Sequence, residues 1–192
     1  MRRALVVVGT ALIPTFALAQ DPPAPPVREG LFGGVGLYGG NISCNGSACG
    51  NFSKGGGGAG FIGWMFSPQL GVLVDGWAMT AKDSSGNSDV TLSFISGTID
   101  VRYYLAPAFW IQGGLGNGHA EVHVGAFAAR GDDVPVGLIA AGLELVRGRS
   151  WALDVAFKLA QGTSTKSDSA SGDATTGRMV GLGANITFFS SR

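Results

Sequence analysis

The segment Leu138–Gln161, LIAAGLELVRGRSWALDVAFKLAQ, decides how the chain folds. In its second half Trp151, Leu153, Val155, Phe157 and Leu159 are large and apolar. The residues between them, Ala152, Asp154, Ala156, Lys158 and Ala160, are small or charged. A period of two over this length belongs to a strand whose faces meet two different surroundings. In the first half Ile139, Ala141, Leu143 and Leu145 share one face, and Leu138, Ala140, Gly142 and Glu144 the other. Arg147-Gly148-Arg149-Ser150 is a tight polar link, so the halves form a hairpin. A small soluble sheet buries its bulky face in a core. Here the opposite face carries alanine, glycine and isolated charges, an inversion that describes a barrel with its bulky side chains in lipid.

The rest of the chain suits that reading. Its 192 residues suffice for one domain behind a leader. Arg2 and Arg3, the apolar stretch Ala4 to Phe16 and Ala17-Leu18-Ala19 have the charge, length and cleavage site of a secretory signal, so residues 1–19 are expected to be removed. No cysteine follows the apolar stretch, so no lipoprotein anchor is expected. Residues 20–29 form a linker that contains Asp21-Pro-Pro-Ala-Pro-Pro26, extended and stiff, and the barrel occupies 30–192. Beyond the leader there is no run of eighteen apolar residues, so helical spans are excluded. Yet only 14% of residues are charged. Without Arg2 and Arg3 the chain carries 11 basic and 13 acidic residues, a balance that offers nothing to nucleic acid. Its 33 glycines lack a Gly-X-Y repeat and fit a narrow barrel interior with little room for side chains.

Alternation recurs along the chain in eight strands. Ile95, Ile99, Val101, Tyr103 and Leu105 oppose Ser96, Thr98, Asp100, Arg102 and Tyr104, with a slip of parity before Ile95 that a bulge or the membrane boundary would explain. The last strand sets Val180, Leu182, Ala184, Ile186 and Phe188 against Met179, Gly181, Gly183, Asn185 and Thr187. Three connections, around residues 68, 107 and 148, are tight. Four, at 41–56, 81–89, 117–134 and 162–175, are long and polar. Short periplasmic turns alternating with long external loops mark an outer-membrane barrel. Ten aromatic residues gather near the tight turns and chain ends: Phe32, Trp64, Phe66, Tyr103, Tyr104, Phe109, Trp110, Trp151, Phe188 and Phe189. Of these, Trp64, Phe66, Tyr103, Phe109, Trp110, Trp151 and Phe188 are assigned to an interfacial girdle.

Gly60-Phe-Ile-Gly-Trp-Met-Phe-Ser-Pro-Gln-Leu-Gly-Val72 resembles the second hairpin of the OmpA/OmpX-like small outer-membrane barrels. The end Ile186-Thr-Phe-Phe189 is similar to that family's assembly signal, with Ser190-Ser-Arg192 trailing after it. The resemblance implies an all-β, eight-stranded, antiparallel, up-and-down transmembrane β-barrel preceded by a signal peptide, with no particular activity. No peptidoglycan-binding domain follows, so no tether to the wall is expected.

The candidate sites are few. Asp75, Asp100, Arg102, Glu144, Asp154 and Lys158 fall on the inner parity, where unpaired charges are costly and pairing is expected. They form either an ionic gate or a salt-bridged plug, and side chains fill the interior of an eight-stranded barrel. His119, Glu121 and His123, spaced by two, share one strand face and are the weak candidate for a divalent metal, set against a polar strand extension above the membrane. Cys44 and Cys49 close a short loop, expected as a disulfide in an exported protein. Gly58-Ala-Gly60-Phe-Ile-Gly63 matches a dinucleotide fingerprint in letters but lies within a strand.

These features point to an outer-membrane protein of a Gram-negative cell envelope with a structural or surface-contact role and a filled lumen. No catalytic residues and no cofactor are expected. A narrow porin-like channel or a barrel binding a small hydrophobic or ionic ligand is the first alternative, and a lipid-modifying enzyme the second. Expected partners are outer-membrane lipid and the barrel-assembly machinery during biogenesis. The barrel is expected to be monomeric, with its loops open to an external partner that the sequence does not name.

Overall fold

The computed structural model describes residues 28–45, 52–83, 90–163 and 176–190. Among these the chain forms nine strands and no helix: β1 (Gly30–Asn45), β2 (Phe52–Met65), β3 (Leu70–Asp83), β4 (Val90–Ala106), β5 (Phe109–Val124), β6 (Phe127–Arg130), β7 (Val134–Arg147), β8 (Trp151–Thr163) and β9 (Thr176–Phe189). All pairings are antiparallel. The pairing of β4 with β5 closes the sheet into a ring in which β1 lies between β2 and β9. Eight strands make the wall. β6 pairs only with the far end of β5, where Gly125, at φ +57, forms the first residue of a Gly-X hairpin turn.

The tight connections are where the sequence places them. In the β2–β3 turn the Ser67 hydroxyl accepts from the Gln69 and Leu70 amides at 3.3 and 3.1 Å. In the β7–β8 turn the Gly148 amide donates to the Trp151 carbonyl at 2.8 Å. The long connections differ from expectation. Strands continue to Asn45, Asp83 and Val124, and residues 117–134 contain the end of β5 and all of β6. Beyond the apolar belt the outer face of a strand turns polar, so side-chain alternation fades while backbone pairing goes on. Cys49 falls outside the described residues, and with it the expected Cys44–Cys49 disulfide.

The inversion seen in the sequence is present on every wall strand. Leu37, Ile99, Leu115 and Leu182 point outward with 77%, 67%, 76% and 61% of their surface exposed. No bulge accompanies the slip of parity before Ile95, where the pairing on both sides of β4 runs without a shift. Burial alternates without a break from Leu92 to Tyr104, so Leu92 and Phe94 point inward with Ser96 and Asp100. The pairing shifts elsewhere: between Phe52 and Gly55 in β2, between Tyr104 and Ala106 at the end of β4, and between Glu144 and Val146 in β7, where Leu145 and Val146 both face out.

The interior is bulkier than its composition suggests. Trp77, Trp110, Tyr38, Phe61, Phe94 and Met79 all lie inside. They fit because inner-face glycines stand beside them. A Cβ on Gly142 would fall within the Trp110 indole, and one on Gly114 would strike the Asp100 carboxylate. The glycines thus make room for neighbours on adjacent strands. Apolar side chains fill the lumen at both ends, with Phe32, Met65 and Phe189 towards the tight turns and Ile42, Met79 and Met179 towards the long connections. The polar layer lies between them.

Candidate functional site

Three cations stand along the barrel interior, each against aromatic rings. Lys158 of β8 donates to both oxygens of Asp75 on β3, at 2.8 and 2.6 Å, and lies 5.3 Å from the Tyr38 ring and 5.9 Å from Trp77. The guanidinium of Arg102 on β4 sits 4.4 Å from the Phe61 ring and 4.2 Å from Trp110. Arg28, just ahead of β1, lies 3.9 Å over Tyr104 and donates to Glu144 at 2.5 Å. Desolvated cations over ring faces gain from the ring quadrupole, and this partly replaces lost hydration.

Asp100 and Asp154 are not matched to the cations of their own strands. Asp100 and Arg102, two apart on β4, are connected through Gln112 of β5. The Gln112 amide nitrogen donates to Asp100 and, at 3.0 Å, to Asp75, while its oxygen accepts from Arg102 Nε and Nη2 at 2.9 and 2.8 Å. Asp154 is held by neutral donors, Asn185 Nδ2 at 2.7 Å and Thr187 Oγ1 at 3.3 Å. Tyr38 donates its phenol hydrogen to Asn185 Oδ1 at 2.7 Å and so extends the same network. All six charges expected inside, Asp75, Asp100, Arg102, Glu144, Asp154 and Lys158, are buried, at 0–4% exposure. Sequence reasoning missed Arg28, Gln112, Asn185 and Tyr38. For Gln112 and Asn185 the signal was present, a polar amide on the inner parity of its strand.

Histidine chemistry lies elsewhere. His119, Glu121 and His123 share the outward parity of β5. His119 Nε2 lies 3.3 Å from Glu121 Oε1 and His123 Nε2 lies 3.7 Å from Glu121 Oε2, while His119 Nδ1 lies 3.3 Å from Asp133. The two imidazoles therefore address different oxygens of one carboxylate and spread along the strand. Among the described residues no three His, Cys, Asp or Glu side chains converge as a metal ion requires.

Six of the seven assigned girdle residues, Trp64, Phe66, Tyr103, Phe109, Trp151 and Phe188, point outward at the tight-turn rim. Trp110 does not: it is fully buried, because it shares the inner parity of β5 with Gln112 and packs under Arg102. Phe32, Tyr104 and Phe189 are likewise turned inward. A recess of about 370 Å³ lies on the outer wall at the β1–β9 seam, over Gly33 between Leu31, Ile62 and Phe188, remote from the charged layer.

No family model matches the chain, and no curated protein sequence matches it. Solved structures do. Neisserial surface protein A superposes with a TM-score of 0.60 at 13% identity, covering 83% of this chain and 97% of the other. Ail, the attachment invasion locus protein of Yersinia pestis, superposes at 0.52 with 18% identity, covering 83% and 99%. The same protein in complex with the heparin analogue sucrose octasulfate superposes at 0.55 with 16% identity, covering 83% and 99%. The likeness spans nearly the whole of each neighbour, and the chain has the fold of the OmpA/OmpX-like small outer-membrane β-barrels.

Proposed function

We propose that the protein resides in the outer membrane of a Gram-negative bacterium and serves there in envelope structure or surface contact, without catalysis. The carrying observation is the sidedness of the wall. Ile99 is 67% exposed between Val74 and Leu115 on the neighbouring strands, at 55% and 76%, while Asp75 and Lys158 inside are at 1%. In water such a belt would be an apolar patch far larger than soluble monomers carry. In lipid it is the surface a barrel requires. The tight turns then face the periplasm and the long connections the exterior, with Trp64, Tyr103 and Trp151 at the inner headgroup level. The packed network of Lys158, Asp75, Gln112 and Arg102 supports a plug rather than a pore. The absence of any catalytic role rests on placement, since both histidines lie on the outer face, away from the lumen hydroxyls of Thr98 and Thr187. The likeness to proteins described by their surface and attachment roles supports surface contact as the theme.

Fractionation combined with heat-shifted gel migration tests the location. Recovery in the outer membrane, with a compact form that unfolds on boiling, is expected, and recovery in the soluble periplasm would refute the proposal. In planar bilayers no steady conductance is expected. A stable conductance would favour the narrow channel, and a change in lipid A mass on removing the protein would favour a lipid-modifying enzyme.

A further inference from the structure

We infer that Arg28 and Glu29, just ahead of β1, form a strap that closes the tight-turn mouth of the barrel, with Arg28 as its bolt. Composition assigns this residue to the linker, yet Arg28 is only 5% exposed. Its guanidinium is held on the far side of the ring. In the closed order β1-β2-β3-β4-β5-β7-β8-β9, β5 stands opposite β1. Arg28 Nη2 donates there to the Pro107 carbonyl in the β4–β5 turn and to Glu144 of β7, both at 2.5 Å. Its charge rests 3.9 Å from the Tyr104 ring, itself 2% exposed. Two further features prepare the site. Gly30 sits at φ +84, a left-handed conformation that bends the chain off the line of β1 and over the mouth. Arg147, the last residue of β7, donates to the same Pro107 carbonyl at 3.0 Å and approaches Glu144 at 3.7 Å, so the seat is braced from outside. The Glu144 side chain is 1% exposed, and the strap supplies its closest cation. Seating the strap therefore neutralises a buried carboxylate and covers Tyr104 in one step. Unseating it exposes both. None of this depends on which side of a membrane the mouth faces.

The test uses the folded protein in detergent or lipid, with phenylglyoxal as the probe of arginine and tetranitromethane as the probe of tyrosine, each site read by peptide mass mapping. Arg130, 58% exposed along its side chain, and Tyr103, 39% exposed, are the internal references. In the native protein Arg28 is expected to react at least about tenfold more slowly than Arg130, and Tyr104 at least about tenfold more slowly than Tyr103, as buried paired groups do. Glu144→Gln is expected to raise both slow rates about tenfold while heat-shifted migration shows the barrel still closed. Should that variant fail to assemble, Gly30→Val, which strains the bend and leaves the seat intact, is expected to free Arg28 in the same way. Native Arg28 reacting as fast as Arg130 would overturn the strap. Release of Arg28 without any gain at Tyr104 would overturn its closing of the mouth.

Discussion

Replacing Lys158 by Met is expected to destabilise the barrel by about 3–5 kcal/mol, the range for stripping one partner from a buried ion pair. The Lys158 and Asp75 side chains are 1% and 0% exposed, and the ammonium gives Asp75 two hydrogen bonds of 2.8 and 2.6 Å. Met keeps nearly the volume of the lysine stem, so little packing is lost beside Tyr38 and Trp77. What remains is a buried carboxylate whose described partner is the Gln112 amide at 3.0 Å. Asp75→Asn alone should lose a similar amount by stranding the ammonium. The double variant removes both charges and should return to within about 1–2 kcal/mol of the native protein, since neutral replacements of both partners are tolerated. Urea unfolding of the refolded barrel, followed by tryptophan emission, measures the cycle. At about 2 kcal/mol/M each single variant should lower the midpoint by roughly 1.5–2.5 M. Single losses below about 1 kcal/mol, or a double equal to their sum, would mean that the pair is solvated and the lumen is not a packed plug.

Three further expectations follow from the same geometry. Ile99→Arg, on the outer wall between Val74 and Leu115, should cost about 2–4 kcal/mol and impair outer-membrane assembly, whereas Tyr103→Arg at the rim should cost about 0–1 kcal/mol; unimpaired assembly of the Ile99 variant, judged by heat-shifted migration, would contradict the assignment of faces. Gly142→Ala places a methyl in the Trp110 ring and should cost about 1–3 kcal/mol with a shift in tryptophan emission. Gly113→Ala, one strand away and facing out, meets only the Leu138 carbonyl at 3.8 Å and should leave the urea midpoint unchanged. For Cys44 and Cys49, alkylation of the unfolded chain without reductant should leave both thiols unmodified, and full modification would exclude the disulfide.

The outer wall was legible from the sequence and the inner one only in part. Outward residues such as Val155, Phe157 and Ile99 answer to a single requirement, an apolar outer surface, so each strand announces its outer face alone. The girdle shows the limit of that logic. Distance along the chain from a tight turn tells how deep a residue lies, but not on which side of the wall. Trp110 has the depth of Trp151 and Tyr103, and its parity with Gln112 turns it inward. Inside, small and large residues complement one another between strands: Gly142 with Trp110, Gly114 with Asp100, Gly36 with Asn185. Reading the small ones strand by strand suggests an interior without room. The partners that fill it are written elsewhere in the chain.

The charges follow the same rule, and here geometry explains why sequence spacing misleads. At about 3.3 Å per residue, Asp100 lies about 6.6 Å from Arg102 along β4, and Asp154 about 13 Å from Lys158 along β8. Both exceed hydrogen-bonding reach unless a side chain bends back along its own strand. Across a closed ring the inner faces of distant strands approach one another instead. Lys158 of β8 thus finds Asp75 of β3, 83 residues earlier, and Arg28 finds Glu144, 116 residues later. Such partners come together only once the ring is closed, by the pairing of β1 with β9. The ion pairs therefore reward closure of the ring itself, and a barrel left open at that seam would strand Lys158, Asp75 and Glu144 at an apolar wall. This gives the charged lumen a physical role: it couples the last pairing step to the neutralisation of charges that have no comparable partner before it.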